Sequence, residues 1–230
     1  MQTKQKVSVI GQGYVGIPIS IAISNSKKVK FRVFGVEKDN KAGQKLAQQI
    51  NNGELPIKSE DKKIYKKFVN TRVKKNFSVT TDLNVIKNSN IIIISINFDF
   101  KIKNINSFKV LKKFFARIGS LIKKNTLIIV ETTLPPGTTD KIIYPAILNE
   151  TSKRGIKKDD VLLSYSYERV MPGEGYYDSV TNNFRVFSGI NKKSKIRCKN
   201  FLSKIINIKK YPLTKLDSNT ECEFSKILEN

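Results

Sequence analysis

The stretch Val7–Gly16, VSVIGQGYVG, decides the fold of this chain. Its apolar first half is typical of a buried β-strand, and Gly11, Gly13 and Gly16 then follow as G-x-G-x-x-G. In this pattern the first glycine permits a tight strand-to-helix turn, the second lets the backbone approach a pyrophosphate, and the third lets helix and strand pack closely. The free N–H groups at the helix start receive the anion. The stretch therefore predicts a dinucleotide-binding βα unit.

An acidic residue stands where such a site needs one. Phe31–Val36 is a second apolar run, and Glu37 follows it, 21 positions past Gly16. A carboxylate at the end of the second strand can accept hydrogen bonds from the ribose of adenosine. The same charge would repel a 2′-phosphate, so NAD is the predicted cofactor, although the adjacent Lys38 softens the preference over NADP. The alternative is a glycine turn of another α/β protein, such as one that binds S-adenosylmethionine.

The size and charge of the chain set broad limits. Its 230 residues suffice for one large domain, or for one domain and part of another. The net charge of +24 comes mainly from lysines spread along the whole chain. Arginine is scarce and no aromatic-and-basic stacking motif is present, so we expect no nucleic-acid partner. Binding through lysine charge alone, the alternative, would appear as affinity for any DNA sequence that falls steeply with salt.

Other compositional features exclude several kinds of site. Histidine is absent, which removes a His general base and His metal ligands from this chain. Cys198 and Cys222 are too few and too far apart for a metal framework and are expected to be inert thiols, so no metal is predicted. No apolar run approaches bilayer length, and the apolar part of Met1–Ile10 is too short for a signal peptide. The protein is predicted to be cytoplasmic, without a membrane partner.

Apolar runs alternate with helical patterns along the whole chain. This alternation predicts an α/β fold: a Rossmann-like, doubly wound and mostly parallel sheet with helices on both faces. The predicted strands are Lys6–Ile10, Lys30–Val36, Ser78–Thr80, Ile91–Ile96, Thr126–Glu131, Val161–Tyr165, Arg185–Ser188 and Ile208–Tyr211. The predicted helices are Val15–Ser24, Lys41–Asn51, Phe108–Ile122, Thr139–Leu148, Lys193–Ile206 and Asn219–Asn230, the last capped by Ser218 or Asn219.

Two further motifs follow predicted strands. Glu131–Thr139, ETTLPPGTT, is a rigid Pro-Pro-Gly turn in which Thr138 or Thr139 can cap the next helix. Ser166–Gly173, SYERVMPG, places a carboxylate beside a guanidinium. The carboxyl edge of a parallel sheet is where open α/β folds bind ligands, so both motifs are candidates for chemistry. The alternatives are a stiff loop without chemistry for the first and a surface ion pair for the second.

Together these segments resemble the UDP-glucose/GDP-mannose dehydrogenase family. The matching motifs occur in the family's order and cover about the first half of a typical member. They are Tyr14-Val15-Gly16, Gly35-Val36-Glu37, Asn52-Gly53 with Pro56-Ile57, Thr81-Asp82, Glu131–Thr139, Glu168-Arg169-Val170 with Pro172-Gly173, and Glu221–Asn230. The arginine after Glu168 and the later Pro-Gly are more similar to the UDP-N-acetylhexosamine branch than to the UDP-glucose branch.

The resemblance implies NAD-dependent oxidation of a nucleotide sugar at C6 to the uronic acid, in two hydride transfers, for surface polysaccharide. Family members trap the intermediate aldehyde on a cysteine as a thiohemiacetal, which becomes a thioester that water hydrolyses. By the family pattern Thr133 orients that water, Glu168 serves as acid/base, and Lys226 and Asn230 stabilise the oxyanion. Cofactor contacts are implied for Gly11, Gly13, Tyr14, Val15, Gly16, Glu37 and Thr133.

The chain departs from the family pattern at several places. Asn97-Phe98-Asp99 replaces a Thr-Pro, Tyr167 replaces the proline before Glu168, and Glu37 replaces the commoner Asp. The family's catalytic cysteine lies beyond the terminal helix, where neither cysteine of this chain stands.

These departures shape the expected domain organisation. Residues 1–214 are expected to form the NAD-binding Rossmann domain and residues 215–230 to begin a central helical domain, without the C-terminal UDP-binding domain. The full-length protein is expected to be a homodimer that acts on a UDP-sugar. Two alternatives stay open: a non-catalytic NAD-binding fragment, or another Rossmann-type dehydrogenase such as a hydroxyacid dehydrogenase.

Overall fold

A computed structural model describes residues 4–98 and 106–229. Its core is one eight-stranded sheet in the order β3-β2-β1-β4-β5-β6-β7-β8. The strands are β1 (Gln5–Ile10), β2 (Phe31–Val36), β3 (Phe77–Thr80), β4 (Ile91–Ile94), β5 (Leu127–Val130), β6 (Leu162–Tyr165), β7 (Arg185–Gly189) and β8 (Leu213–Lys215). The first six are parallel, β7 runs antiparallel to β6, and β8 is parallel to β7. This arrangement confirms the predicted doubly wound fold.

Helices cover both faces of the sheet. They are α1 (Gly16–Ser24), α2 (Lys41–Asn52), α3 (Lys62–Val73), α4 (Asn106–Leu121), α5 (Tyr144–Ser152), α6 (Tyr176–Thr181), α7 (Lys192–Leu202) and α8 (Asn219–Glu229). A π-helical turn, Thr139–Ile143, leads into α5, and 3-10 turns span Leu83–Asn88 and Lys158–Asp160. Ile91 and Ile93 pack into the hydrophobic cluster on one face, and Ile92 and Ile94 into the cluster on the other. A strand buried on both faces requires such a continuous apolar run.

Three details differ from the sequence-based prediction. Ile208–Tyr211 is a turn, because Lys210 and Tyr211 both donate their backbone N–H groups to the Asn207 carbonyl. The strand β8 starts only after Pro212. Helices α3 and α6 were not predicted, and α7 ends at Leu202, four residues before the predicted end.

The fold has a switch point between β1 and β4. From β1 the chain proceeds through β2 and β3 to one edge, and from β4 through β5 and β6 in the opposite direction. In open α/β sheets the crevice outside the carboxyl ends of the strands at such a point is the ligand site. The loops after β1, β2, β4, β5 and β6 all begin at that edge, because these strands are parallel.

Candidate dinucleotide and substrate site

A cleft of about 990 Å³ opens at the switch point. It is lined by the glycine turn, the end of β2, the segment after β4 and the segment after β5. The predicted site residues that line it are Gly11, Gly13, Tyr14, Val15, Glu37, Thr133 and Glu168. Gly16 does not line the cleft; it is the first residue of α1 and packs against the Gly11 carbonyl. Lys226 reaches Glu168 from α8, and Asn230 lies outside the described residues.

The three glycines meet different steric demands. Gly11 has a φ of +92°, and a side chain there would meet the Ser95 carbonyl oxygen at 2.8 Å. A Cβ on Gly16 would lie 1.7 Å from the Gly11 carbonyl oxygen, which no relaxation of a side chain relieves. A Cβ on Gly13 would have no atom of the described structure within 4 Å. Gly11 and Gly16 are therefore required by the fold, whereas Gly13 leaves an open backbone edge toward the cleft.

Glu37 is folded back onto the glycine turn. Its Oε2 accepts a hydrogen bond from the Gln12 backbone N–H at 2.7 Å, and its Oε1 accepts one from the Lys38 backbone N–H at 3.0 Å. Beneath it, the Gln12 side chain is buried and donates to the Val9 carbonyl at 2.9 Å. The ribose-binding carboxylate and the helix-start amides predicted from sequence are thus brought together.

These features fit a dinucleotide cofactor. The backbone edge at Gly13 is open, α1 starts three residues later, and the first N–H groups of a helix lack intrahelical partners. Such amides attract a phosphate, and the neighbouring Glu37 carboxylate can accept ribose hydroxyls. This chain therefore supplies groups of the kind that a pyrophosphate and a ribose require, close together at one edge of the sheet.

A buried ion pair lies beside the cleft, and its carboxylate, Glu131, is one of the lining residues. The Arg185 guanidinium, from the start of β7, lies 2.7 Å from Glu131 Oε1, and both side chains are almost fully buried. The Ser95 hydroxyl lies 3.4 Å from the other carboxylate oxygen. Burial raises the pKa of the Glu131 carboxyl, whereas the guanidinium acts in the opposite direction. The pair was not predicted, because its members stand 54 positions apart in the chain.

The two threonines after Glu131 have different environments. The Thr132 side chain is buried, and its hydroxyl donates to the Ile96 carbonyl at 2.6 Å. The Tyr165 hydroxyl donates to the Thr132 carbonyl at 2.8 Å. Thr133 is exposed and lines the cleft. Thr132 therefore anchors the segment, which leaves the Thr133 hydroxyl available to a ligand.

Glu168 and Lys226 lie together although 58 positions separate them. The Lys226 ammonium donates to the Glu168 backbone carbonyl at 3.0 Å and lies 3.7 Å from its carboxylate. It also lies 5.3 Å from the centre of the Tyr167 ring, which is buried. A cation over an aromatic face is stabilised by the ring quadrupole. Glu168 lines the cleft, and the Lys226 ammonium lies directly beside it.

Arg169 does not pair with its neighbour Glu168. Its guanidinium lies 2.9 Å from Glu229 on α8, and both side chains are more than a third exposed. The alternative of a surface ion pair between Glu168 and Arg169 is therefore not what the structure has: Arg169 makes its surface ion pair with Glu229 instead.

The turn after Thr133 is capped in an unexpected way. Thr138 makes no side-chain cap bond to the helix, which corrects the prediction of a local threonine cap. Glu223 of α8 supplies the acceptor instead: Oε2 accepts from the Gly137 N–H at 2.6 Å, and Oε1 accepts from the Thr139 N–H at 2.7 Å and from its hydroxyl at 2.6 Å. A carboxylate at a helix start stabilises its unpaired amides. At α8 itself Ser218 is a cap, as predicted, since it accepts from the Glu221 N–H at 3.1 Å.

Both cysteines lie away from the cleft. Cys198 belongs to the hydrophobic cluster on one face of the sheet and Cys222 to that on the other. Burial raises the pKa of Cys198 to about 12 and holds that of Cys222 well above its ordinary value. Within residues 4–98 and 106–229, no group of three or more acidic or Cys side chains is placed to hold a metal. No helix in the described part of the chain has the length and apolar character needed to cross a bilayer.

Comparisons with known proteins agree on the family. The chain is 30% identical over 231 residues to a UDP-N-acetyl-D-mannosamine dehydrogenase of Methanococcus maripaludis, covering 98% of this chain and 47% of that protein. It is 25% identical to the enzyme of that name from Pyrococcus horikoshii, covering 98% and 50%. The fold superposes with a TM-score of 0.86 on the NDP-N-acetyl-D-galactosaminuronic acid dehydrogenase from Methanosarcina mazei Go1, at 24% identity, covering 99% of this chain and 47% of that one.

The chain thus spans about half the length of the curated relatives that it matches. Residues 5–207 match the sequence profile of the NAD binding domain of one family. The resemblance seen in the motifs is confirmed, and the cofactor of this domain is NAD. The chain belongs to the UDP-glucose/GDP-mannose dehydrogenase family.

Proposed function

We propose that the protein oxidises a UDP-N-acetylhexosamine at C6 to the uronic acid, with NAD as the oxidant, for surface polysaccharide. One observation carries the proposal: a single cleft joins the dinucleotide turn and Glu37 at one end to Thr133 and Glu168 at the other. The names of the curated relatives, UDP-N-acetyl-D-mannosamine dehydrogenases, support the choice of sugar. The UDP-sugar is the proposed partner of a cytoplasmic homodimer, as the family resemblance implies.

The cofactor end of the cleft is assigned to residues of the first βαβ unit. The backbone of Gly11, Gly13, Tyr14 and Val15 borders the pyrophosphate position, and Gly16 permits the close helix packing behind it. Glu37 accepts the adenosine ribose hydroxyls and disfavours a 2′-phosphate. Thr133 stands at the end where the nicotinamide would lie. When bound there, NAD accepts hydride from the substrate carbon.

The substrate end of the cleft holds the groups for acid/base work. We assign Glu168 as the acid/base, Thr133 as the group that orients the hydrolytic water, and Lys226 with Asn230 as the oxyanion donors. The structure supports the pairing of Glu168 with Lys226, whose ammonium lies 3.7 Å from the carboxylate. A fixed cation beside a developing oxyanion lowers the barrier because its charge needs no reorientation during the reaction.

The thiol step is not assigned to a residue of this chain. Cys198 and Cys222 are both buried outside the cleft. The 230-residue chain alone is therefore proposed to bind NAD without oxidising a UDP-sugar. This restricted role, a non-catalytic NAD-binding chain, is the second candidate function.

Calorimetry tests the proposed NAD binding, and a chimera tests the proposed oxidation of a UDP-N-acetylhexosamine. We expect the 230-residue chain to bind NAD and to form no NADH with UDP-N-acetylmannosamine. In the chimera, the chain replaces the corresponding half of the M. maripaludis relative, and we expect it to form two NADH per UDP-N-acetylhexosamine oxidised. The same chimera with Lys226→Met should still bind NAD but should lose turnover. A folded chain without NAD affinity would contradict the cofactor assignment. A folded chimera that oxidises UDP-glucose and no UDP-N-acetylhexosamine would contradict the substrate class.

A further inference from the structure

Helix α8 contacts both loops of the substrate end. It lies beyond residues 5–207, the part of the chain that matches the NAD-binding domain. Asn219, Glu223 and Lys226 are buried and follow one another at spacings of four and three, so they share one face of the helix. Asn219 and Glu223 make polar contacts with the segment after Thr133, and Lys226 makes one with the loop that carries Glu168.

The first half of this face is bound to the turn Pro135–Thr139 and the residue after it. The Glu223 carboxylate receives the three hydrogen bonds from Gly137 and Thr139 and is completely buried. One turn earlier, the Asn219 amide donates to Asp140 at 2.7 Å. All three donors to Glu223 belong to the turn that follows Thr133, so Glu223 fixes α8 relative to that segment.

The second half of this face is bound to the loop that carries Glu168. Lys226 reaches the Glu168 carbonyl and lies over the Tyr167 ring. Three residues in an α-helix correspond to a rise of about 4.5 Å. Because the helix backbone is hydrogen-bonded over this distance, the positions of residues 223 and 226 are fixed relative to each other. The place of the Lys226 ammonium therefore depends on where Glu223 holds the helix.

We propose that Glu223 is a positioning residue: by binding the Gly137 and Thr139 amides it fixes α8 so that Lys226 is held against Glu168. The catalytic importance of Lys226 rests on the proposed function, but the positioning itself is a property of this chain. A glutamine at this position would place its NH2 group either against the Gly137 N–H or against the Thr139 N–H and hydroxyl, and it would lose at least one of the three bonds.

The reactivity of Lys226 toward an acylating reagent tests the proposal. In the 230-residue chain, acetylation by N-hydroxysuccinimidyl acetate is followed at each lysine by mass spectrometry, with the exposed Lys215 as internal reference. Glu223→Gln should raise the Lys226 rate about fivefold, the effect of losing roughly one hydrogen bond on a local opening equilibrium. Glu221→Gln is the matched control on the same helix, because the Glu221 carboxylate accepts from the Asp217 N–H at the start of the helix and not from the turn after Thr133. This control should leave the Lys226 rate unchanged.

A milder variant and a kinetic measurement complete the test. Thr139→Val removes one donor to Glu223 and should give a smaller rise at Lys226; it decides the question if Glu223→Gln does not fold. In the chimera, Glu223→Gln should lower kcat and leave the KM for NAD unchanged. A Lys226 rate within about twofold of wild type in each folded variant, or an equal rise in Glu221→Gln, would overturn the proposal. Failure of the wild-type chain to bind NAD would contradict the proposed function and would not alter the labelling result.

Discussion

The Glu37 carboxylate accepts a hydrogen bond from the backbone N–H of Gln12 at 2.7 Å, within the glycine turn itself. Glu37 directly follows β2, and Gln12 lies in the turn that follows β1. The two residues are therefore joined in one unit although 25 positions separate them in sequence. Because Glu is one methylene longer than the commoner Asp, its carboxylate can reach the turn. A dinucleotide bound there would meet the amides and the carboxylate at neighbouring points, and this geometry carries the cofactor assignment.

Replacing Glu37 should weaken NAD binding selectively. Glu37→Gln removes a charged acceptor for the ribose, a loss of about 1.5–3 kcal/mol, which corresponds to roughly a 10- to 150-fold rise in Kd. The affinity for NADP should fall less or improve, because the repulsion of its 2′-phosphate is removed. Calorimetry with both cofactors measures the effect, with Glu60→Gln on the exposed surface as the matched control. Equal losses for the two cofactors would contradict a ribose contact.

Alanine at two glycines should separate folding from binding. A Cβ on Gly16 would stand 1.7 Å from the Gly11 carbonyl oxygen, so Gly16→Ala should cost about 3 kcal/mol of unfolding free energy or more. Gly13→Ala meets no described atom within 4 Å and should change stability by no more than about 0.5 kcal/mol. It should nevertheless reduce NAD affinity, since the new methyl group occupies the open edge of the cleft. Urea unfolding and calorimetry give the two quantities, and normal NAD binding by Gly13→Ala would place the pyrophosphate elsewhere.

Breaking the Glu131–Arg185 pair should destabilise the fold strongly. Arg185→Met leaves a buried carboxylate without its cation, which typically costs about 3–5 kcal/mol. The double variant Arg185→Met with Glu131→Gln should recover much of this loss, because no buried charge remains. Urea unfolding of the wild type, Arg185→Met, Glu131→Gln and the double variant forms a complete double-mutant cycle. A double variant as unstable as Arg185→Met would show that packing dominates over the charge.

The same pair predicts a pH dependence. Burial raises the pKa of the Glu131 carboxyl in the folded state, and removal of the opposing guanidinium raises it further. A group whose folded pKa lies above its unfolded value stabilises the fold while protonated, and this contribution is lost as the pH rises through the folded pKa. The stability deficit of Arg185→Met should therefore grow as the pH rises above the ordinary carboxyl pKa of 4.5. Unfolding curves over a series of pH values above that point check the sign, and a deficit that shrinks as the pH rises would contradict it.

The two thiols should be unreactive in the native chain. Cys198 and Cys222 are buried and have raised pKa values, so little thiolate is present near neutral pH. An aromatic disulfide reagent should label both in denaturant and neither under native conditions. Cys198→Ala and Cys222→Ala should retain NAD affinity, since neither thiol lines the cleft. Rapid native labelling of either cysteine would contradict its assignment as an inert thiol.

Local patterns predicted most of the sheet and several of the residues that line the cleft. The Ile91–Ile94 run and the glycine turn can be read directly, because each satisfies a local rule of burial or steric space. Helix α3 has the right period too, with Ile64, Phe68 and Thr71 buried, but it is rich in lysine and follows no strand. The spacing of these buried residues is typical of a helix, but the sequence-based prediction did not include one here.

The contacts that no local pattern indicated are those between distant carboxylates and their donors. Glu131 pairs with Arg185. Glu223 caps a turn 84 to 86 positions away, where the sequence predicted that Thr138 or Thr139 would be the cap. Such pairings depend on the order of the strands, and the sequence of either partner alone contains no signal for the other. The strand predicted at Ile208–Tyr211 was wrong because this segment closes a turn on the Asn207 carbonyl, and the strand begins only after Pro212.

A crystal structure of the 230-residue chain with NAD tests the central claim most directly. The predicted result has the adenosine ribose hydroxyls within about 3 Å of the Glu37 carboxylate oxygens and the pyrophosphate at the backbone amides that follow Gly11. Adenosine bound at another edge of the sheet, with Glu37 still bonded to Gln12 and facing solvent, would contradict the account.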